Sequence, residues 1–230
     1  QLRDDIPAHQ PLIAATAKPW PGALAVYRSP GEDGFELVTT LRRRANLGRL
    51  AADLWPGPVS RFDLGNVLIL DLASGQLESV SDLALFGGAN ALTVETAPGR
   101  WEIVQAGHAE LIAPGRYRLT RLLRGQRGTE HAMGNPTPAG ARVVLLNEGL
   151  TPLPGPEADL GIPFNWRIGP ARHPVSSETF TALTFTPEGE GLRPFSPVHV
   201  IQPWRHPHVP GDLPIRWTRR SRVPAAASWQ

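Results

Sequence analysis

Trp101-Glu102-Ile103-Val104-Gln105-Ala106-Gly107-His108-Ala109-Glu110-Leu111-Ile112, then Ala113-Pro114-Gly115, then Arg116-Tyr117-Arg118-Leu119-Thr120-Arg121-Leu122-Leu123, is the stretch that decides the fold. Proline presets φ at one corner of a turn and glycine accepts the positive φ of the next, so Pro114-Gly115 predicts a hairpin between two β-prone runs. In the returning run Tyr117 and Leu119 alternate with Arg118 and Thr120. That period of two belongs to a strand with one buried face.

The same texture continues on both sides. Leu24 to Tyr27, Phe35 to Leu41 and Val67 to Leu72 are short β-prone runs, separated by Ser29-Pro30-Gly31-Glu32-Asp33-Gly34 and by Trp55-Pro56-Gly57-Pro58. Val143 to Leu146, Phe164 to Ile168 and Phe180 to Thr186 add further strands, and Val198/Val200 and Ile215/Trp217 begin two more. With 25 prolines and 23 glycines in 230 residues, long helices have little room. The one helical candidate is Ser81-Asp82-Leu83-Ala84-Leu85-Phe86, with Ser81 as its cap and Gly87-Gly88 as its end. The fold class read from this pattern is all-β, built from several small antiparallel β domains.

Hydrophobic residues make up 41% of the chain, enough for genuine cores, and there is no cysteine. That excludes disulfide scaffolds, thiolate metal sites and cysteine nucleophiles. No apolar run approaches the roughly 18 residues of a membrane-spanning helix. The opening Gln1-Leu2-Arg3-Asp4-Asp5 carries neither an initiator methionine nor a signal-peptide core, as expected of an excised segment. Of the 23 basic residues only Lys18 is lysine. Such arginine usage suits inter-subunit contacts, because the guanidinium forks onto carboxylates and stacks on rings, and it equally follows from a GC-rich coding genome.

A search for chemistry finds no catalytic centre. The lone Lys18 lies between Ala17 and Pro19, which removes a phosphate-cradling P-loop, and no Gly-x-Ser-x-Gly elbow is present. Glu130-His131 sits in a glycine-rich loop, and adjacent residues rarely converge on one substrate atom. His206, His208 and Asp212 have the residue types of a two-histidine, one-carboxylate metal site, yet Pro207, Pro210 and Gly211 around them read as a solvated loop. Arg42-Arg43-Arg44 and Arg219-Arg220 with Arg222 invite a nucleic-acid reading, but a net charge of +2 leaves no sustained basic stripe. Solvated faces or protein contacts fit them better. Trp20, Trp55 and Trp204, beside prolines, are the exposed candidates for stacking sugar rings, whereas Trp101, Trp166 and Trp217 lie in strand patterns that favour burial. The expectation is therefore no catalytic, cofactor-binding or metal residues, no cofactor, and no enzyme activity.

Several stretches together resemble one family: Trp20-Pro21-Gly22-Ala23-Leu24-Ala25-Val26-Tyr27-Arg28-Ser29, Phe62-Asp63-Leu64-Gly65-Asn66, Gly87-Gly88-Ala89-Asn90 and, most of all, Arg121-Leu122-Leu123-Arg124-Gly125-Gln126-Arg127-Gly128-Thr129-Glu130. In content and order they are similar to the C-terminal half of the megatron family, the large baseplate proteins of gene transfer agents and related siphophage-like tails. The resemblance runs from about Trp20 to Trp229.

The resemblance implies tail-hub-like β domains followed by a fibronectin type III-like sandwich, with Trp217 as its core tryptophan. The domain reading that results is residues 1–19 as a linker or the end of a preceding domain and 20–153 as the main β domain. A smaller β unit over 154–195 follows the proline joint Thr151 to Pro156, and 196–230 is an incomplete fibronectin-like module. The implied role is a structural component of a virion-like tail baseplate, a homo-oligomer, specifically a trimer, meeting other baseplate and tail-hub proteins and the recipient cell surface. Sequence-specific nucleic acid and a transmembrane segment are not expected. The family's upstream hydrolase-like barrel is absent from this sequence, so its activity transfers to no residue here. In the Arg-Gly-Gln-Arg-Gly-Thr signature a strand should end at Gly125, Gly128 should turn the backbone and Thr129 should cap. A carbohydrate-binding β module touching a surface polysaccharide is the alternative, which exposed tryptophans sharing one sheet face would favour.

Overall fold

The computed structural model describes residues 6–201 and 215–220, and the chain is nearly all β. The strands are β1 (Leu12–Ile13), β2 (Leu24–Ser29), β3 (Glu36–Leu41), β4 (Leu47–Leu50), β5 (Leu68–Leu72), β6 (Ala91–Ala97) and β7 (Arg100–Ala113). They continue with β8 (Arg116–Leu123), β9 (Arg142–Leu145), β10 (Thr151–Pro152), β11 (Phe164–Pro170), β12 (Thr181–Phe185), β13 (Val198–Ile201) and β14 (Arg216–Thr218). The one α-helix among the described residues, α1 (Asp82–Phe86), starts where Ser81 Oγ accepts the Ala84 N–H and stops at Gly87, as its sequence predicts.

Six strands close an antiparallel barrel in the order β4-β5-β8-β7-β6-β9, with β9 returning to β4. The hairpin predicted around Pro114-Gly115 is its centre: Ala113 pairs with Arg116, Leu111 with Tyr117 and Ala109 with Leu119, and Gly115 takes φ +73°. β7 is long enough to pair with β6 along its first half and β8 along its second. Alternate residues point inward, so Leu68, Leu70, Leu92, Val94, Val104, Leu119, Leu122 and Val143 fill the interior, each at most 1% exposed.

A four-stranded sheet, β12-β11-β2-β3, forms the second body, with Leu24, Val26, Leu41, Leu153, Phe164 and Trp166 in its core. Its strands come from both sides of the barrel in sequence: Val26 pairs with Ile168 and Tyr27 with Arg167. The barrel is thus an insertion between β3 and β11. The expected separate unit over 154–195 differs from this arrangement, because β11 and β12 complete a sheet that β2 and β3 begin. Residues of the proposed 1–19 linker also join in, since Leu12 pairs with Pro152 and Ile13 with Thr151. The Thr151–Pro156 joint is therefore strapped by a strand at its start.

β13 and β14 form a two-stranded ladder, with Val198 opposite Thr218 and Ile201 opposite Arg216. Trp217 is 61% exposed there, whereas the fibronectin-like reading placed it in a core. A buried indole needs a facing sheet, and β13–β14 is the whole sheet among the described residues.

Candidate functional site

Where β8 ends, Arg124 turns inward and is completely buried. Its Nε and Nη2 donate to the two oxygens of Glu102 at 2.7 and 2.9 Å, and its Nη1 donates to the Trp55 carbonyl at 2.8 Å and approaches Asp63 Oδ2 at 3.4 Å. Glu102 is fully buried too, and its Oε1 also accepts the Gly125 N–H. Asp63 is held as the head of a tight loop: Oδ1 accepts the N–H groups of Gly65 and Asn66, and Oδ2 accepts the Asn66 side-chain N–H. Burial pushes the Asp63 carboxyl upward, but the Asn66 side chain, the backbone N–H groups and Arg124 outweigh it, so its pKa lies below the ordinary value. Gly57 passes so close that a Cβ there would overlap the Asp63 carboxylate.

Phe62-Asp63-Leu64-Gly65-Asn66 and the run from Arg121 to Glu130 therefore meet in one buried ionic knot. The third motif, Gly87-Gly88-Ala89-Asn90, serves a similar end. Gln105 on β7 donates to the carbonyls of Leu85 and Ala89, and Asn90 donates to those of Glu78 and Ala106, fastening α1 to the barrel wall. Beside it, Arg121 stands at φ +55°, forks onto Asp82 and stacks 3.9 Å over Phe62. In the Arg-Gly-Gln-Arg-Gly-Thr loop Thr129 closes the turn, its N–H and Oγ1 both donating to the Gln126 carbonyl, and its Oγ1 also accepts the Ile103 N–H, pinning the loop to β7. Gly125 and Gly128 supply the positive φ the turn needs, and β8 ends at Leu123 rather than at Gly125.

The remaining sequence candidates are scattered. Glu130 accepts from Arg220 at 2.6 Å, while the His131 Nδ1 sits 3.1 Å from the Gly128 carbonyl and its Nε2 3.8 Å from Glu190. Arg43 pairs with Glu148 on the surface. Trp166 is buried, Trp20 packs against the sheet core, and Trp55 is 56% exposed. Trp204, Arg222, His206, His208 and Asp212 lie outside the described residues. Among the described residues no three His, Asp or Glu side chains group as metal ligands, and no helix is long and apolar enough to cross a membrane.

What sequence reasoning missed is an open cleft of about 1670 Å³ between the barrel wall and the β12 edge. Arg49, Arg100, Trp101 and Arg142 face it from the barrel, and Leu183, Thr184 and Phe185 from β12. Arg142 forks onto Glu95 with two 2.5 Å bonds and lies 5.5 Å over the Trp101 ring. That fork, against a smaller effect of burial, holds the Glu95 carboxyl below the usual range, with Arg49 adding to it. Asp71 is likewise lowered, by Arg116. Carboxylates held ionised in this way are poor proton donors near neutrality. Of the strands that wall the cleft, β9 was read as a strand over Val143 to Leu146, whereas β4 and β6 were not.

Comparison with curated proteins returns no match. Residues 45–144, which run from just before β4 to the penultimate residue of β9 and so take in the barrel, match the family model described as Rcc01698-like, C-terminal, a family associated with gene transfer agent proteins.

Proposed function

We propose that the chain is a structural part of the baseplate or tail tip of a gene transfer agent or siphophage-like tail, of megatron type. In this role it acts by assembly rather than catalysis, as a homotrimer that docks on other tail proteins and contributes to attachment to, or penetration of, the recipient cell. The observation that carries this reading is the coincidence of the family match with one structural unit, the inserted barrel. The barrel's distinctive motifs support it by holding walls and loops together, Arg124 on Glu102 and Asp63, and Gln105 and Asn90 on the α1 turn. The carbohydrate-binding alternative has less support, because the exposed indoles among the described residues, Trp55 and Trp217, belong to different elements.

Light scattering on the purified chain, alone and mixed with the ring proteins of such a tail, tests the proposal. A trimer or a stable complex with a ring is the expected result. A monomer that ignores the ring proteins and turns over peptidoglycan would overturn it.

A further inference from the structure

We propose that the cleft beside β12 receives an extended, acidic segment of another polypeptide, which adds to the sheet as a fifth strand. β12 is the outer strand of the order β12-β11-β2-β3, all of its residues are exposed, and its Leu183, Thr184 and Phe185 line the cleft. An outer strand presents unpaired N–H and C=O groups, and an extended peptide satisfies them by strand addition. The cleft's 1670 Å³ exceeds the roughly 300–1,000 Å³ of small-molecule sites and suits a chain.

Charge selects the occupant. The two carboxylates on the barrel wall of the cleft are already committed, Asp71 to a fork from Arg116 and Glu95 to a fork from Arg142 with Arg49 near it. Arg100 is exposed and has no ion-pair partner among the described residues, and Arg49 is exposed with one N–H given to the Gly140 carbonyl. The barrel wall thus offers the exposed guanidinium groups of Arg49 and Arg100 to the cleft, while the exposed Glu188 and Glu190 line it just beyond β12, so the added strand turns its carboxylates towards the barrel. A glycan is less suited, since it cannot complete a β ladder and one face of the Trp101 indole is covered by Arg142. The inference stands apart from the tail-tip reading, because binding by the isolated chain tests it.

The probe is a fluorescein-labelled short peptide alternating threonine and glutamate, read by anisotropy on the full chain at low salt. Saturable binding is expected, weakened about tenfold by Arg100→Glu, equivalent to roughly 1.4 kcal/mol. Methylating alternate backbone amides of the peptide, which leaves the protein untouched, should abolish binding in one of the two registers. Absence of binding, equal binding by both methylated peptides, or preference for an acidic polysaccharide would each overturn the proposal.

Discussion

Arg124 offers the sharpest test of how the barrel is held closed. Replacing it with methionine keeps an unbranched side chain of similar length but strips Glu102 of both fork bonds and leaves the Trp55 carbonyl without its donor. Glu102 would retain the Gly125 N–H alone, in a site with no exposure. Removing one member of a buried ion pair costs about 3–5 kcal/mol, because the survivor stays desolvated and unpaired. Against the roughly 5–15 kcal/mol stability of an ordinary domain that is a large fraction. At a urea slope of about 2 kcal/mol/M, a loss of ~4 kcal/mol moves the midpoint by roughly 2 M, easily followed by tryptophan fluorescence. Arg124→Met with Glu102→Leu should recover part of the loss, since the apolar pair removes the orphaned Glu102 charge while Asp63 and the Trp55 carbonyl still lack their Arg124 partner. A shift below about 1 kcal/mol for the single change, or additive losses in the double, would refute the reasoning.

Gly57→Ala should destabilise by about 1–3 kcal/mol in the same melts, because its Cβ overlaps the Asp63 carboxylate. The depressed carboxyls of Glu95 and Asp63 bind fewer protons folded than unfolded, so they stabilise the fold above the ordinary carboxylate pKa of ~4 and lose that contribution as pH falls through their lower folded values. Melting temperature should drop steeply below about pH 4, and Glu95→Gln should flatten that limb. Gln105→Leu removes two hydrogen bonds to the α1 region and should speed amide exchange across Asp82–Phe86 while sparing β7. Trp166→Ala should cost about 3–5 kcal/mol and expose β2 as readily as β11 to proteolysis, since both share its core.

The hairpin at Pro114-Gly115, the Ser81 cap and the strands from Leu24 to Tyr27 and from Phe164 to Ile168 were legible because local chemistry decides them: a turn pair, a hydroxyl acceptor, an alternation. β4 and β6 were not legible. Leu47-Gly48-Arg49-Leu50 is short and carries a glycine, and Ala91-Leu92-Thr93-Val94 follows a glycine-rich turn; long-range pairing with β9 makes each a strand. The join of β2 to β11 is invisible for the same reason, since no local signal announces a partner so far along the chain. Motifs that stood out in the sequence proved to be braces such as Arg124 with Glu102. The cleft, built from ordinary arginines and a strand's edge, left no local mark.

The insertion of the barrel between β3 and β11 also sets a timetable. On the ribosome β2 and β3 emerge before the barrel as a hairpin without their other two strands, and two-stranded hairpins are marginal in water. β11 begins roughly 120 residues after β3 ends, about 6–25 seconds at usual rates of synthesis. The barrel, whose strands are contiguous in sequence, can close during that wait. The nascent chain thus spends its vulnerable interval with one finished module and one unfinished sheet, whose early half must be sheltered until its second half is made.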